Sequence, residues 1–495
     1  MAERQTLTYS LLFNYYFIIC LGLDLNHDRN EIWRVLSRIR HRYQMGFWNR
    51  PPALALPAGR RRFRHGEDHG PFGGGVFSCQ PRRVVCRLLG ENARAFLDQK
   101  ILPLFVDLHG VLVEMEQGAP ATSQLKDRVL RFGERLSSEI VAAAFAHAGM
   151  KAAHANASDV IVTDDAFGNA GPLLWETYAK LRRTVAIDAR ESVIVLGGFI
   201  GATSDGRITT LGRGGSDLTA SLVGAGISAS EIQIWTDVDG ILSCDPRVLR
   251  GGYRLRAVGY EEAAELARLG AKVLHPAAVA PAVRQGIPIT IRNSRRPDLE
   301  GTRIGPSAVR RTATVKCIAC LTEMAVIHLD VRGAAGLAAV SNGLHEIFKR
   351  NRIDVHLVQA RPTGVSFAVK NSAALPDLLR HLHNSIAATV EEDMAVVSIV
   401  GSEITAGPAI AGRVQSALQG QNVRMTAQGS SRLSMSFAVP EPAMADCVER
   451  LHREFFRTPD SDLFAATPES SCNLAAVQAT DHSLPSLPLG EASIC

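Results

Sequence analysis

A glycine-rich segment, TTLGRGGSDLTA, occupies residues 209–220 and runs into an apolar helical pattern. Glycine lets backbone N–H groups approach an anion closely, and the start of a helix adds partial positive charge. Arg213 supplies a planar fork of donors that suits a carboxylate or a phosphate. Ser216 and Asp217 add a hydroxyl and a carboxylate at the helix start. The segment predicts a site for an anionic substrate beside a phosphate, and a capped glycine-rich turn is the alternative.

A second segment, IWTDVDGI, predicts a buried strand that runs into a turn at residues 234–241. Thr236 and Asp237 would lie at its carboxyl end, where open α/β sheets bind ligands. Tyr260 to Leu269 has the pattern of a helix that stops at a glycine, and Lys272 follows at once. The alternative is that Asp237 is a capping residue and that Lys272 is a solvated lysine on the surface.

Four segments, in this order and spacing, resemble the catalytic domain of aspartate kinases in the amino-acid kinase family: VLGGFIG, TTLGRGGSDLTA, IWTDVDGILSCDPR and YEEAAELARLGAKVLHPA. The resemblance covers roughly residues 125–460 and is greatest to the monofunctional, lysine-sensitive type. It implies an α/β fold with a central, mostly parallel sheet and helices on both faces. It also implies ATP-dependent phosphorylation of the L-aspartate side chain, with Mg²⁺, as the first step towards lysine, threonine and methionine.

The resemblance also implies roles for single residues. Those that would face the aspartate substrate are Arg213, Gly214, Gly215, Ser216 and Asp217, with Arg213 and Asp217 as catalytic residues. Those that would bind the nucleotide are Thr236, Asp237, Arg247 and Lys272. Upstream, RFGERLSSEIVAAAF matches the GE element of the family. Glu134 would therefore accept a hydrogen bond from the substrate's amino group, and a surface glutamate on a helix is the alternative. No metal site built from protein ligands is predicted.

The implied chemistry needs no general base, because a carboxylate with a reference pKa of about 4 is already a nucleophile at neutral pH. The protein must instead position the reactants in line and neutralise the charge of the transferring phosphoryl group. The sequence contains no GxxxxGK[ST] loop and no HRD or DFG set, which excludes P-loop kinases and protein kinases.

The amino-terminal segment departs from the family pattern. Relatives open with a strand and KFGGTS, whose lysine stabilises the transferred phosphoryl group, whereas here Pro71 precedes Phe72 and two glycines. Residues 1–90 are therefore predicted as an atypical segment, frame-disrupted or disordered. A frame disruption, a misplaced start or true decay of the site would each explain it. A catalytically impaired homologue that acts as a regulatory or ACT-dimer subunit is the second hypothesis, and a kinase of the same fold with another carboxylate or carbamate substrate is the third.

The carboxyl third predicts a ferredoxin-like βαββαβ pattern used twice, which resembles the paired ACT domains of aspartate kinases. ACT domains bind amino-acid effectors and associate side by side, so a homodimer is expected. The predicted organisation is a catalytic domain at 91–305, ACT domains at 314–385 and 393–457, and a disordered tail at 458–495.

The effector site is predicted to have changed. In lysine-sensitive relatives an aspartate in a VDL strand and hydroxyls in a following TTSE hold lysine. Here His356 stands in place of the acid, and Ala360 and Arg361 replace the hydroxyl residues. The predicted effector-binding residues are Gly336, Leu337 and His356, with weak or absent lysine binding.

Composition limits the other classes of function. The chain has 495 residues, of which 46% are hydrophobic and 21% charged, which predicts about three domains. A net charge of +5 does not favour nucleic acid as a partner. Nine scattered cysteines indicate a reducing, cytoplasmic setting, and the Cys317–Cys320 pair is predicted to lie in the core. The apolar run from Leu11 to Leu23 is too short to span a membrane.

Overall fold

The computed structural model describes residues 7–12, 18–23, 84–188, 192–271, 276–306, 313–330, 348, 353–361, 364–372, 375–376, 387–406, 408–428 and 432–466. They belong to two compact units. The first comprises Met1–Asp237 and Ala277–Thr290, and the second comprises Val238–Pro276 and Ile291–Cys495. This division differs from the five predicted segments, because the second unit contains part of the predicted catalytic domain together with both predicted ACT domains.

The first unit is an α/β structure. Its strands are β1 (Leu7–Leu12), β2 (Ile18–Leu23), β3 (Ala152–Ala155), β4 (Val162–Thr163), β5 (Val193–Gly197), β6 (Ile200–Thr203), β7 (Ile208–Thr210) and β8 (Ile232–Thr236). Its helices are α1 (84–89), α2 (Ala93–Phe96), α3 (Leu102–Glu116), α4 (Ser123–His147), α5 (Ala157–Val160), α6 (Leu174–Arg183), α7 (Val185–Asp188) and α8 (Gly215–Gly226).

Five strands of this unit form one sheet in the order β8-β1-β2-β5-β3, and β4, β6 and β7 form a second sheet. The pairs β1–β8 and β3–β5 are parallel, whereas β2 is antiparallel to both of its neighbours. The first 90 residues, predicted as an atypical segment that is frame-disrupted or disordered, therefore supply two paired strands and helix α1. Short apolar runs of this kind are compatible with a strand or with a buried helix segment, and periodicity alone does not separate the two.

Helix α4 carries Glu134 across the main sheet of the first unit. It begins after Thr122, whose Oγ1 accepts a hydrogen bond from the N–H of Leu125 at 3.1 Å. Its apolar side packs on the sheet, where Phe145 is fully buried against Val193 and Val195. A buried phenylalanine of this kind contributes a few kcal/mol through removal of apolar area from water (about 25 cal/mol per Å²). The packing fixes which face of the helix points into the unit.

The second unit contains most of the carboxyl half of the chain. Its first elements are β9 (Arg254–Leu255), β10 (Ala257–Gly259) and α9 (Tyr260–Arg268). The chain then enters the first unit for residues 277–290, which include most of α10 (Pro276–Arg284), and returns to the second unit within β11 (Ile289–Asn293). The remaining elements are β12 (Thr302–Gly305), β13 (Thr314–Asp330), β14 (Val355–Arg361), β15 (Gly364–Lys370), β16 (Ala387–Ser402), α11 (Pro408–Ala417), β17 (Met425–Gln428), β18 (Ser434–Pro440), α12 (Met444–Phe455) and β19 (Phe464–Ala465).

One six-stranded antiparallel sheet, in the order β14-β15-β13-β16-β18-β17, replaces the two consecutive units expected from the sequence. The second half of β13 pairs with β15, and its first half pairs with residues 396–402 of β16, beside β18. The first half of β13 is thus the fourth strand of the second ACT domain, although it precedes the first domain in the chain. Bulges with left-handed residues at Glu323 and Asp393 mark the joint between the halves.

The prediction of a disordered tail from residue 458 is wrong for its first nine residues. β19 pairs with β9, and Phe464 is buried with its ring 6.4 Å from that of Tyr253 and 5.5 Å from that of Phe456. The Ser- and Pro-rich composition of the stretch predicted disorder throughout, although Phe464 within it is a buried apolar residue. Residues 467–495 lie outside the described residues, as does almost all of the helix predicted at 336–349.

A buried ion pair joins α9 to β13 in the six-stranded sheet. Lys316 Nζ lies 2.6 and 2.7 Å from the two carboxylate oxygens of Glu262, and both residues are under a tenth exposed. Glu262 also accepts hydrogen bonds from the N–H of Gly259 at 2.9 Å and from Ser402 Oγ at 2.7 Å. Burial alone would raise the pKa of Glu262, but these donors hold it below its ordinary value.

Lys316→Met should destabilise the second unit by about 3–5 kcal/mol, because it leaves the Glu262 carboxylate buried without its cation. Arg453→Met is the matched control, since Arg453 forms an exposed ion pair with Glu449 at 2.7 Å that is worth about 1 kcal/mol or less. Chemical denaturation of both variants at neutral pH measures the difference. Equal and small losses for the two variants would contradict the prediction.

Candidate functional site

The turn at Gly197 and Gly198 brings two predicted substrate residues to the carboxyl end of β5. A Cβ placed on Gly197 would lie 3.2 Å from the backbone oxygen of Glu134, and one on Gly198 would lie 2.9 Å from Cβ of Ser216. Only glycine permits both approaches. The side chain of Glu134 is 5% exposed and that of Ser216 is 6% exposed. The first unit therefore assembles helix α4 and the start of α8 around this turn.

The residue after the turn, Phe199, has a left-handed backbone with φ 70°, which is unusual for a bulky side chain. Its N–H donates to Thr219 Oγ1 at 3.0 Å, and its carbonyl accepts from the N–H of Leu211 at 2.9 Å. The turn is thus bonded to both ends of the glycine-rich loop. Strained residues of this kind cluster at functional sites.

The glycine-rich loop has the backbone that its glycines predict. Gly212 and Gly214 have φ values of 70° and 71°, and Gly214 is the residue before α8. The first N–H groups of a helix lack intrahelical acceptors and point towards an anion. Arg213 lies between the two glycines, is exposed, and has no hydrogen-bond or ion-pair partner among the described residues. Its guanidinium group is therefore available to a ligand.

Asp217 is the third residue of α8 and lies in its first turn. It is half-buried, and its Oδ1 atom is inaccessible to solvent and accepts no hydrogen bond within the described part of the chain. Burial raises the pKa of this carboxyl group to about 7. A buried acceptor without a donor is unfavourable in the free protein, and a cationic ligand would relieve the cost. The structure thus places an acid beside the loop that carries Arg213.

Asp127, which the sequence interpretation missed, holds this loop from helix α4. Its carboxylate accepts from the N–H of Thr210 at 3.0 Å, from Thr210 Oγ1 at 2.7 Å and from the N–H of Gly168 at 2.8 Å. Asp127 is fully buried. An acidic residue two helical turns before Glu134, on the same face of the helix, is the sequence signal that could have revealed it.

The predicted nucleotide residues are only partly described. Thr236 and Asp237 follow one another at the carboxyl end of β8, as predicted, with Thr236 Oγ1 3.3 Å from Asp237 Oδ1. Arg247 belongs to the second unit, where its guanidinium bonds Asp245 at 3.0 and 2.5 Å, and this bond raises the pKa of the arginine. Lys272 lies outside the described residues, and so does the segment at Pro71.

The predicted effector residue His356 lies on β14, an edge strand of the six-stranded sheet. Burial lowers the pKa of His356, so its imidazole is neutral at pH 7. Its backbone carbonyl accepts from the guanidinium of Arg268 at 3.2 Å. The other two predicted effector residues, Gly336 and Leu337, lie outside the described residues.

Two kinds of feature are absent from the described residues. No helix among them has the length and apolar character needed to cross a membrane. No group of three or more His, Cys, Asp or Glu side chains in the same set could hold a metal ion. Cys317 is buried on β13, as predicted, and Cys320 on the same strand is half-buried, and burial raises the pKa of both thiols.

Comparison with known proteins agrees with this architecture. Residues 80–293 match the amino acid kinase family, and residues 397–455 match an ACT domain. The lysine-sensitive aspartokinase 3 of Escherichia coli is 32% identical over 70% of this chain and 80% of its own length. An aspartokinase of Bacillus sp. (strain MGA3) is 31% identical over 66% of this chain and 81% of its own.

Solved structures extend the similarity to the fold. The structure of E. coli aspartokinase III with aspartate and ADP (R-state) has a TM-score of 0.63 at 28% identity and covers 77% of this chain and 91% of the other. The same enzyme with lysine and aspartate (T-state) has a TM-score of 0.65 at 29% identity, covering 76% and 84%. These matches, together with the glycine loop and the six-stranded sheet, show that the chain belongs to the aspartokinases of the amino acid kinase family.

Proposed function

We propose that this chain transfers the γ-phosphoryl group of ATP to the side-chain carboxylate of L-aspartate, giving 4-phospho-L-aspartate and ADP. The observation that carries the proposal is the assembly around the Gly197-Gly198 turn, which Glu134 on α4 and Ser216 at the start of α8 each approach closely. The aspartokinase III of E. coli binds aspartate and ADP, which supports the same ligand pair here.

The proposed substrate contacts follow from charge. Arg213, without a partner in the described structure, suits a bidentate contact with the α-carboxylate of aspartate. Glu134 and Asp217 are acids that suit the ammonium group, and Ser216 with Gly214 and Gly215 adds donors at the helix start. An amino acid with one ammonium and two carboxylates has the charges that this set can recognise.

Phosphoryl transfer then requires positioning and charge neutralisation. A carboxylate oxygen of the substrate forms a bond to the γ-phosphorus while the bond from that phosphorus to the ADP oxygen breaks, so no proton moves. Thr236, Asp237, Arg247 and Lys272 are the proposed nucleotide contacts. Mg²⁺ would accompany ATP, because this ion is held largely by substrate phosphates and water rather than by a protein cage; it would neutralise charge that develops on the phosphate oxygens.

The six-stranded sheet supports a proposed homodimer and a proposed effector site. β14 is an edge strand, and Val358 on it is an exposed apolar side chain. Unpaired strand edges readily join to a second strand. The proposed site around His356 has mixed charge, because Asp354 lies near the imidazole and Arg268 is already paired with Glu265 at 2.7 Å.

Arg213→Ala should raise the barrier measured by kcat/KM for aspartate by about 2–5 kcal/mol, since a charge pair covered by substrate is lost. The assay is ATP-dependent acyl-phosphate formation trapped with hydroxylamine. Arg182→Ala, at an exposed arginine on α6, is the matched control and should leave the rate unchanged. Unchanged trapping in the Arg213 variant would refute the substrate contact, and no trapping by the wild-type chain would refute the activity.

Asp217→Asn should stabilise the free protein more at pH 8 than at pH 5. The raised pKa of Asp217 means that, between its unfolded value near 4 and its folded value of about 7, the unfolded chain holds fewer protons than the native one. The carboxyl group therefore costs stability progressively as pH rises through that window, and the amide does not. Thermal unfolding at both pH values measures this, with Asp98→Asn at an exposed aspartate as control. A pH-independent difference would contradict the assignment.

L-Lysine should bind weakly or not at all, because the imidazole of His356 carries no negative charge to pair with an ammonium group and Arg361 brings a like charge towards one. Titration calorimetry of the wild-type chain with L-lysine measures the affinity. A sub-millimolar Kd would show that the effector site survives with other residues.

A further inference from the structure

The carboxylate of Asp127 joins three parts of the first unit. It is fully buried on α4 and accepts one hydrogen bond from the hydroxyl and one from the N–H of Thr210, and a third from the N–H of Gly168. None of these donors is a cation. A buried carboxylate that has hydrogen bonds but no positive partner is expensive, and an apolar residue of similar size is often as stabilising. Its presence calls for a role other than stability.

The donors to Asp127 lead directly into the glycine-rich loop. Thr210 is the last residue of β7, three residues before Arg213. Gly168 precedes Asn169, whose Oδ1 would lie 2.3 Å from a Cβ on Gly212, so the two segments are in contact. The N–H of Ala170 also donates to the carbonyl of Thr210 at 2.9 Å. One carboxylate therefore fixes both the strand that enters the loop and the segment on which the loop rests.

Asp127 also shares a helix with Glu134. Seven residues are close to two turns of an α-helix, so both side chains lie on the same face of α4. The loop that carries Arg213 is thus bonded to the helix that carries Glu134. Any change at Asp127 alters the spacing between the proposed contact for the α-carboxylate and the proposed contact for the ammonium group.

We infer that Asp127 is a positioning residue that sets the distance between Arg213 and Glu134 and so determines the affinity for the amino-acid substrate. The inference rests on the proposed function, since it assumes that these two residues hold opposite ends of one substrate. A misplacement of about 1 Å in such a pair is enough to cost a large factor in rate. A purely structural role predicts a different result, namely lower stability with unchanged kinetic constants below the unfolding temperature.

The test compares four variants of the full chain. Asp127→Asn removes the charge and places an amide donor against N–H donors. Thr210→Val removes the hydroxyl donor, and Thr210→Ser retains it. Thr163→Val is the matched control, because Thr163 Oγ1 lies 2.7 Å from Thr209 Oγ1 in an equally buried pair that does not involve the helix.

Asp127→Asn and Thr210→Val should each raise KM for aspartate by about tenfold or more, the usual effect of a lost charge-assisted hydrogen bond, and leave KM for ATP unchanged. Thr210→Ser and Thr163→Val should keep the wild-type KM for aspartate, even where the latter lowers Tm. An unchanged KM for aspartate in Asp127→Asn and Thr210→Val, or equal rises in the two KM values, would overturn the inference.

Calorimetric titration with L-aspartate separates this inference from the proposed function. If the wild-type chain binds aspartate but forms no trapped acyl phosphate, the proposed activity fails, and the Kd values of the four variants still decide the role of Asp127. If the wild type forms acyl phosphate while the variants match it, only the positioning role fails. If the wild type does not bind aspartate, both are overturned.

Discussion

The close approach of backbones at Gly197 and Gly198 is the constraint on which the first unit depends. A methyl group at Gly198 would come within 2.9 Å of Ser216 at the start of α8, and one at Gly197 would lie 3.2 Å from the backbone of Glu134 on α4. Because β5 ends there, both helices lie close against the same turn. Phe199 has a strained left-handed backbone in this turn, and its hydrogen bonds with Thr219 and Leu211 maintain that conformation.

Local signals in the sequence predicted the elements of the site well. The glycine-rich segment predicted a loop that leads into a helix, which the structure shows before α8, and the helix expected at Tyr260 to Leu269 occurs at Tyr260–Arg268. These features depend on residues near each other in the chain. The contacts of Asp127 could not be predicted in the same way, since its partner Thr210 is 83 residues away and is chosen by packing.

Strand pairing was the second limit of prediction. Two separate ACT domains were predicted at 314–385 and 393–457, but β13 is one continuous strand whose halves join different partners, and the pattern of apolar residues does not show which partner each half selects. Similarly, Phe464 is buried because Tyr253 and Phe456 lie beside it, whereas the composition of the surrounding stretch predicts disorder. In both cases contacts between residues far apart in the chain decide the structure, and the local sequence is compatible with more than one outcome.

The shared strand β13 has a consequence for how the regulatory part of such a chain can change over evolution. A gene fragment that ended before residue 393 would leave the first half of β13 with no strand to join, and one that began there would encode a domain short of an edge. Neither ACT domain can therefore be gained, lost or exchanged alone without exposing unpaired backbone. The pair is inherited as one genetic module, and its two parts are free to diverge only in the side chains they present.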